Sequence, residues 1–208
     1  MNYDTLLAFV LATSVLAISP GPDNIYVLMQ SIVNGTKYGL ATVCGLISGC
    51  LLHTTLVAFG VSAIIKESDT LFFIIKCLGA GYLLYLAYKV YCSNAKLDLN
   101  DAAVPKKSMS QLFKQGVIMN VLNPKVSIFF LAFFPGFLFS ETLSSIKQFY
   151  VLGLLFMVTS FLIFSAIAIL AGSISTYLKS HKNIGIVLKW LQIVVFVGIA
   201  IFILFSKK

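Results

Sequence analysis

Six apolar stretches, each close to or above the length needed to cross a lipid bilayer, restrict the fold of this chain more than any other feature. A transmembrane helix needs about 20 consecutive apolar residues. The 208-residue sequence is 59% hydrophobic and only 11% charged, whereas soluble domains carry about 25% charged residues. A single core of this size cannot bury that much apolar surface, so lipid must surround most side chains. We therefore predict an all-α polytopic membrane protein with six transmembrane helices. The predicted helices are Leu6–Ile32, Tyr38–Ile65, Leu71–Tyr91, Leu112–Phe139, Phe149–Ser173 and Ile184–Phe205.

The basic residues are distributed as in the loops of a membrane protein. All 15 are lysines, and they stand singly or in pairs between the apolar stretches, so we expect no nucleic-acid partner. The connections between helices one and two, three and four, and five and six hold nine lysines, against five on the other side. The positive-inside rule places the lysine-rich side in the cytoplasm. The sequence therefore predicts a multi-pass protein of the inner or plasma membrane with both termini outside the cytoplasm.

A long polar connection divides the predicted helices into two sets of three. It covers residues 93–111, which we interpret as a cytoplasmic loop between a first membrane half, residues 1–92, and a second, residues 112–208. Because each half has an odd number of helices, the two halves would cross the membrane in opposite orientations. Inverted repeats of this kind are typical of secondary transporters.

The first predicted helix is interrupted by Pro20, Gly21 and Pro22, which are followed at once by Asp23 and Asn24. Prolines remove backbone donors at mid-membrane depth, and the carbonyls left free are tolerated only against protein or a wet cavity. Pro22 suits the first position of a second half-helix, whose positive dipole end attracts an anion such as a carboxylate. A charge inside the bilayer is by default a functional candidate. Asp23 either binds substrate, caps the half-helix, or does both.

The fourth predicted helix has a matching interruption at Pro124, which is followed by Lys125. Interrupted helices at corresponding positions of two inverted halves indicate a substrate site at the membrane midplane. We predict that Asp23 binds the ammonium group of a zwitterionic substrate and that Lys125 binds its carboxylate. A structural salt bridge between the two charges is the alternative interpretation. The other predicted substrate-binding residues are Asn24, Asn120 and Asn123.

The second predicted helix carries Gly45, Gly49 and His53 at four-residue intervals, which places all three on one helix face. The glycines permit close helix packing. His53 either takes part in proton coupling, since imidazole titrates near neutral pH, or is a packed histidine bonded to a neighbouring carbonyl. The sequence has no CxxC pair and no His/Cys spacing suited to a metal, so we expect no metal and no cofactor.

Five motifs taken together resemble those of the LysE/RhtB family of amino-acid exporters, in the form typical of the RhtB-like branch. They are Ser19-Pro20-Gly21-Pro22-Asp23, Gly45-xxx-Gly49-xxx-His53, Leu78-Gly79-xx-Tyr82-Leu83, Asn120-xx-Asn123-Pro124-Lys125 and Phe129-Phe130. The resemblance covers essentially the whole chain. It implies efflux of a neutral, zwitterionic amino acid or derivative from the cytoplasm, driven by the proton motive force.

We therefore predict a secondary transporter rather than an enzyme, working as a proton antiporter whose two halves give alternating access to the site. Asp23 and His53 are the candidate proton-coupling residues. The expected partners are an amino acid, protons and the lipid bilayer, and a homodimer is compatible with the sequence. The alternative function is cation or heavy-metal efflux. The predicted helices argue against it, because they contain a single Asp and no Glu, and Lys125 would repel a cation.

Overall fold

The computed structural model describes residues 2–93, 107–180 and 184–205, and nearly all of these residues are helical. The predicted connecting loop therefore lies largely outside the described residues. A π-helical turn, Val57–Val61, joins α3 to α4, and α7 continues through a second π-helical turn, Phe129–Phe133, into a 3-10 turn, Phe134–Phe137. The helices are α1 (Tyr3–Ile18), α2 (Pro22–Asn34), α3 (Thr36–Leu56), α4 (Ser62–Glu67), α5 (Asp69–Cys92), α6 (Met109–Val121), α7 (Pro124–Ile128), α8 (Ser145–Ile169), α9 (Ala171–Ser180) and α10 (Ile184–Phe205).

Four helical segments in the described part of the chain are long and apolar enough to cross a membrane as they stand. They are Thr36–Ile64, α5, α8 and Ile186–Phe205. Two bent pairs bring the number of crossings to six if each pair is one span: α1 meets α2 at 60°, and α6 meets the segment Pro124–Phe137 at 50°. The prediction of an all-α polytopic membrane protein is confirmed, and its first and fourth spans are the bent ones.

The fourth span begins at Met109 rather than at the predicted Leu112, because the residues before it form a capping box. Ser108 Oγ accepts a hydrogen bond from Gln111 N at 3.2 Å, and Gln111 Oε1 accepts one from Ser108 N at 2.9 Å. Two backbone donors at the helix start are satisfied in this reciprocal way. Hydropathy does not detect such a start, since the residues that make it are polar.

The glycine face of α3 packs against α6, which belongs to the other half of the chain. A Cβ on Gly45 would collide with the carbonyl oxygen of Phe113, and the backbone of α3 leaves no room for one on Gly116. One turn further along α3, a Cβ on Gly49 would lie 2.7 Å from Asn120 Oδ1. The absence of side chains at these positions allows the two helix backbones to approach closely.

Within the described part of the chain, the buried apolar side chains form two separate clusters. The first, the phenylalanine cluster, includes Phe9, Phe129, Phe130, Phe134 and Phe156. The second cluster contains Val27, Val43, Leu46, Phe164 and Ala168. Phe156 contacts Phe130 with ring centroids 4.9 Å apart. Phe156 and Phe164 are eight residues, about two turns, apart on α8, so the middle of α8 lies between the clusters.

Candidate substrate-binding site

The first helix break lies where Pro20 interrupts the hydrogen-bond ladder of α1. In a continuous helix the N–H of residue 20 would bond to the carbonyl of Leu16, but proline has no N–H. Gly21 is extended and provides no side-chain cap, and Pro22 takes the first position of α2, which suits its fixed φ angle. Carbonyls at the end of α1 therefore need partners from elsewhere in the protein.

The second helix break lies between Val121 and Pro124. Asn123 takes the N-cap position of α7, and its Oδ1 accepts a hydrogen bond from Lys125 N at 3.0 Å. Asparagine is a favoured N-cap residue, and Pro124 again occupies the first position of the new helix. This cap places Lys125 in the first turn of α7.

Side chains at the two breaks satisfy the carbonyls at the end of α1. Lys125 Nζ donates to Leu16 O at 3.2 Å and to Ser19 O at 3.1 Å. Asn24 Nδ2 donates to Ala17 O at 2.7 Å. An ammonium has three donors, so this helix end uses two of them. The lysine of the second half thus replaces backbone donors that are missing from the first.

Asp23 is joined to the second half through an asparagine rather than directly through the lysine. Its Oδ2 accepts a hydrogen bond from Asn123 Nδ2 at 2.6 Å. Asp23 and Lys125 form no direct ion pair, although their charges are close enough to interact electrostatically. Only 7% of Asp23 and 8% of Asn123 is exposed. Asp23 is therefore held to the second half by the Asn123–Asp23 hydrogen bond, and not by the salt bridge considered above.

A cavity of about 30 Å³ lies between the two breaks. This volume holds one or two water molecules and is too small for an amino acid. Asp23, Asn24, Asn120 and Lys125 line it, whereas Asn123 is bonded to Asp23 from outside the lining. The walls come from α1, α2 and α3 of the first half and from α6, α7 and α8 of the second. The other lining residues are Leu16, Ala17, Ile47, Cys50, Val126, Phe156, Ser160 and Phe164.

His53 lies one residue behind the cavity wall. Its Nε2 is 3.2 Å from Asn120 O, and its ring packs on Phe130 with centroids 5.4 Å apart. Asn120 Nδ2 donates in turn to Cys50 Sγ at 3.4 Å. A bond to a neighbouring backbone carbonyl is what the packed-histidine interpretation expects. Asn120 is the residue that joins His53 to the cavity.

The contribution of α8 to the cavity is not among the residues predicted from the sequence. Phe156, Ser160 and Phe164 lie at four-residue intervals on its buried face, and all three line the cavity. Because α8 is apolar on all sides, hydropathy does not separate its lipid-facing side from its buried side. The one available signal is a serine spaced one helical turn from each of two phenylalanines.

Comparisons with known proteins identify the family. The family model for LysE type translocators matches residues 14–207, a range that includes both helix breaks. Homoserine/homoserine lactone efflux proteins of Salmonella typhimurium (strain LT2) and Salmonella typhi are each 30% identical to the chain over 183 residues, which is 88% of either sequence. No solved structure matches the chain. The resemblance inferred from the motifs is confirmed: the chain belongs to the LysE family of translocators, whose members are transporters rather than enzymes.

Proposed function

We propose that this protein exports a small neutral amino acid or a close derivative from the cytoplasm, in exchange for protons, by alternating access between its two halves. One observation carries the proposal. Two helix breaks meet at a single buried cavity, and one supplies a carboxylate while the other supplies an ammonium. Charged groups at membrane depth are costly, and they mark substrate and ion pathways.

The two charges suit the two ends of a zwitterion. Asp23 would accept the substrate ammonium, and Lys125 would exchange its bonds to the Leu16 and Ser19 carbonyls for the substrate carboxylate. The start of α2 adds to this anion site, because Gly21 provides no side-chain cap and the free N–H groups of a helix start favour a negative charge. Each substrate charge would then have a partner, as binding in a low-dielectric site requires.

The names of the two relatives support a neutral zwitterionic substrate. Both are homoserine/homoserine lactone efflux proteins, and homoserine carries one ammonium and one carboxylate with an uncharged side chain. One carboxylate and one ammonium in the site match that charge pattern. A basic amino acid would bring an extra positive charge that the cavity lining does not balance.

The small volume of the cavity supports a mechanism in which the site opens alternately to the two sides of the membrane. The phenylalanine cluster adjoins the cavity through Phe156, which belongs both to that cluster and to the lining, and it extends to Phe9 near the start of α1. The much smaller second cluster meets it through Phe164. With the predicted topology, the part of the phenylalanine cluster around Phe9 would lie on the external side of the cavity and the second cluster on the cytoplasmic side. We propose that the 1–92 and 112–208 halves, as inverted repeats, move against each other.

Proton coupling follows from competition at one carboxylate. A proton arriving at Asp23 from outside would displace the substrate ammonium and release the amino acid, and loss of that proton to the cytoplasm would restore the carboxylate. A membrane potential contributes about 2.3 kcal/mol per 100 mV for each charge moved inward. Because a tenfold concentration ratio corresponds to about 1.36 kcal/mol, one proton moving inward across 100 mV supports roughly a 50-fold outward gradient of a neutral substrate. His53 would take part in proton coupling through Asn120, the cavity-wall residue whose carbonyl oxygen it contacts.

Metal efflux is the weaker alternative for this site. Among the described residues, no three of His, Cys, Asp and Glu come together to hold a metal ion. Lys125 places a positive charge next to the only carboxylate in the cavity lining, and that charge opposes a cation. The chemistry of the lining therefore favours a zwitterion.

Uptake of labelled homoserine into everted membrane vesicles with an acidic lumen tests the proposal, because export becomes uptake in this geometry. We expect the wild-type protein to drive saturable, gradient-dependent uptake. Asp23→Asn should abolish the dependence on the proton gradient, and Lys125→Gln should abolish binding of the carboxylate. Asp4→Asn and Lys147→Gln are matched controls, since both residues are exposed. Unchanged gradient-driven uptake in Asp23→Asn would refute the proton role of that residue.

A further inference from the structure

Two residues that line the cavity, Asn120 and Ser160, each carry a buried polar atom with no hydrogen-bond partner among the protein atoms, namely Asn120 Oδ1 and Ser160 Oγ. Both residues are deeply buried, with 4% of Asn120 and 1% of Ser160 exposed. Buried polar groups in native proteins are hydrogen-bonded in the great majority of cases, and exceptions call for a physical reason. Six other buried polar atoms of the described residues also lack a protein partner, but these two alone belong to residues that line the cavity.

The other charged and amide side chains in the lining are already engaged by the protein. Asp23 is bonded to Asn123, Asn24 to a carbonyl of α1, and Lys125 to two carbonyls. These residues form the charged end of the cavity. Asn120 and Ser160 supply two uncharged polar groups that the zwitterion's ammonium and carboxylate do not need.

The cavity-lining neighbours of Ser160 along α8 are apolar. Phe156 and Phe164 lie one turn away on either side along α8, and both also line the cavity. Gly49 leaves room for the Asn120 amide, because any side chain there would collide with it. A short side chain with one polar group fits such a wall, whereas a charged group would lose its hydration without compensation.

We propose that Asn120 and Ser160 form a side-chain subsite that selects a hydroxyl-bearing amino acid. The inference rests on the proposed function, in which Asp23 and Lys125 hold the zwitterion. The substrate hydroxyl donates its hydrogen to Asn120 Oδ1 and accepts a hydrogen bond from Ser160 Oγ. A substrate without the hydroxyl leaves both protein atoms unpaired, which is the means by which polar sites reject apolar analogues. Ser160 is thus a specificity-determining residue contributed by α8.

The test compares homoserine with 2-aminobutyrate, which has the same carbon skeleton without the hydroxyl, in the everted-vesicle assay. The quantity measured is the ratio of kcat/KM for homoserine to that for 2-aminobutyrate. We expect wild type to prefer homoserine and Ser160→Ala to lower the ratio about tenfold, as loss of one neutral hydrogen bond predicts. Ser165→Ala is the matched control. Ser165 lies on the same helix and its buried Oγ is also unpartnered, but it does not line the cavity.

The possible outcomes separate this inference from the proposed function. A wild-type ratio near one, or a ratio that Ser160→Ala leaves unchanged, overturns the hydroxyl subsite while amino-acid transport stands. Absence of saturable uptake of both amino acids by wild type overturns the proposed function and the subsite with it. If Ser160→Ala does not reach the membrane, Ser160→Cys replaces it, because a thiol is a weak donor of similar size. An unchanged ratio in that variant also overturns the subsite.

Discussion

Replacing Gly49 with alanine tests whether the close crossing of α3 and α6 sets the position of Asn120. A Cβ at Gly49 would lie 2.8 Å from Asn120 Cβ, whereas ordinary contact begins at 3.4 Å, so the shortfall is about 0.6 Å. Asn120 Cβ moves with the helix backbone, and no rotation of the side chain relieves the collision. The two helices must therefore separate by about this distance, carrying Asn120 away from Cys50.

The free-energy cost of this collision can be separated from the gain in helix propensity by a second glycine-to-alanine variant. Overpacking a tight contact costs about 1–3 kcal/mol, while replacing a helical glycine by alanine gains about 1 kcal/mol of helix propensity. Gly81 lies in α5 with nothing within 4 Å of the position of a Cβ, so Gly81→Ala makes the same propensity gain without a collision. The free energy of unfolding should thus be about 1–3 kcal/mol lower in Gly49→Ala than in Gly81→Ala.

Thermal unfolding in detergent measures this difference. At about 2–4 °C per kcal/mol for a chain of this size, the Tm of Gly49→Ala should lie about 2–12 °C below that of Gly81→Ala. Homoserine uptake should also fall in Gly49→Ala alone, because Asn120 holds His53 and lines the cavity. Equal Tm values for the two variants would show that α3 and α6 are not in close contact at Gly49, and would refute the reasoning.

Three further predictions concern the cavity and its closure. Asn24→Ala should leave Ala17 O unpaired and lower the free energy of unfolding by about 1–3 kcal/mol, which thermal unfolding measures; an unchanged Tm contradicts that bond. With the other three cysteines replaced by serine, Cys50 should react slowly with a small thiol reagent, since only 1% of Cys50 is exposed. Homoserine should slow this reaction further, because it would bind in the cavity that Cys50 lines. A Cys50 labelling rate that homoserine does not change would show that Cys50 is not part of the site. Phe164→Ala should thin the second cluster and speed Cys50 labelling, and an unchanged rate would show that Phe164 does not close the cavity.

Much of the fold could be predicted from the sequence because the bilayer imposes a simple local rule. A span of about 20 apolar residues must be helical in lipid, so hydropathy finds the spans without knowledge of their packing. The bends follow the same logic, since Pro20, Pro22 and Pro124 each remove a donor from a helix. The charged residues beside these prolines stand out because charge is rare inside a membrane. The order of these motifs was also sufficient to indicate the family.

The partners of those residues were decided by the tertiary structure. Lys125 bonds to carbonyls of Leu16 and Ser19 rather than to Asp23, and Asn123 holds the aspartate instead. These bonds join positions about a hundred residues apart, and no local pattern encodes them. The place of Ser160 in the cavity wall could not be predicted from the sequence for a second reason. Lipid and protein interior are both apolar, so the face of α8 that lines the cavity and the face that meets lipid look alike in the sequence. Which of its residues reach the site depends on how the helices pack.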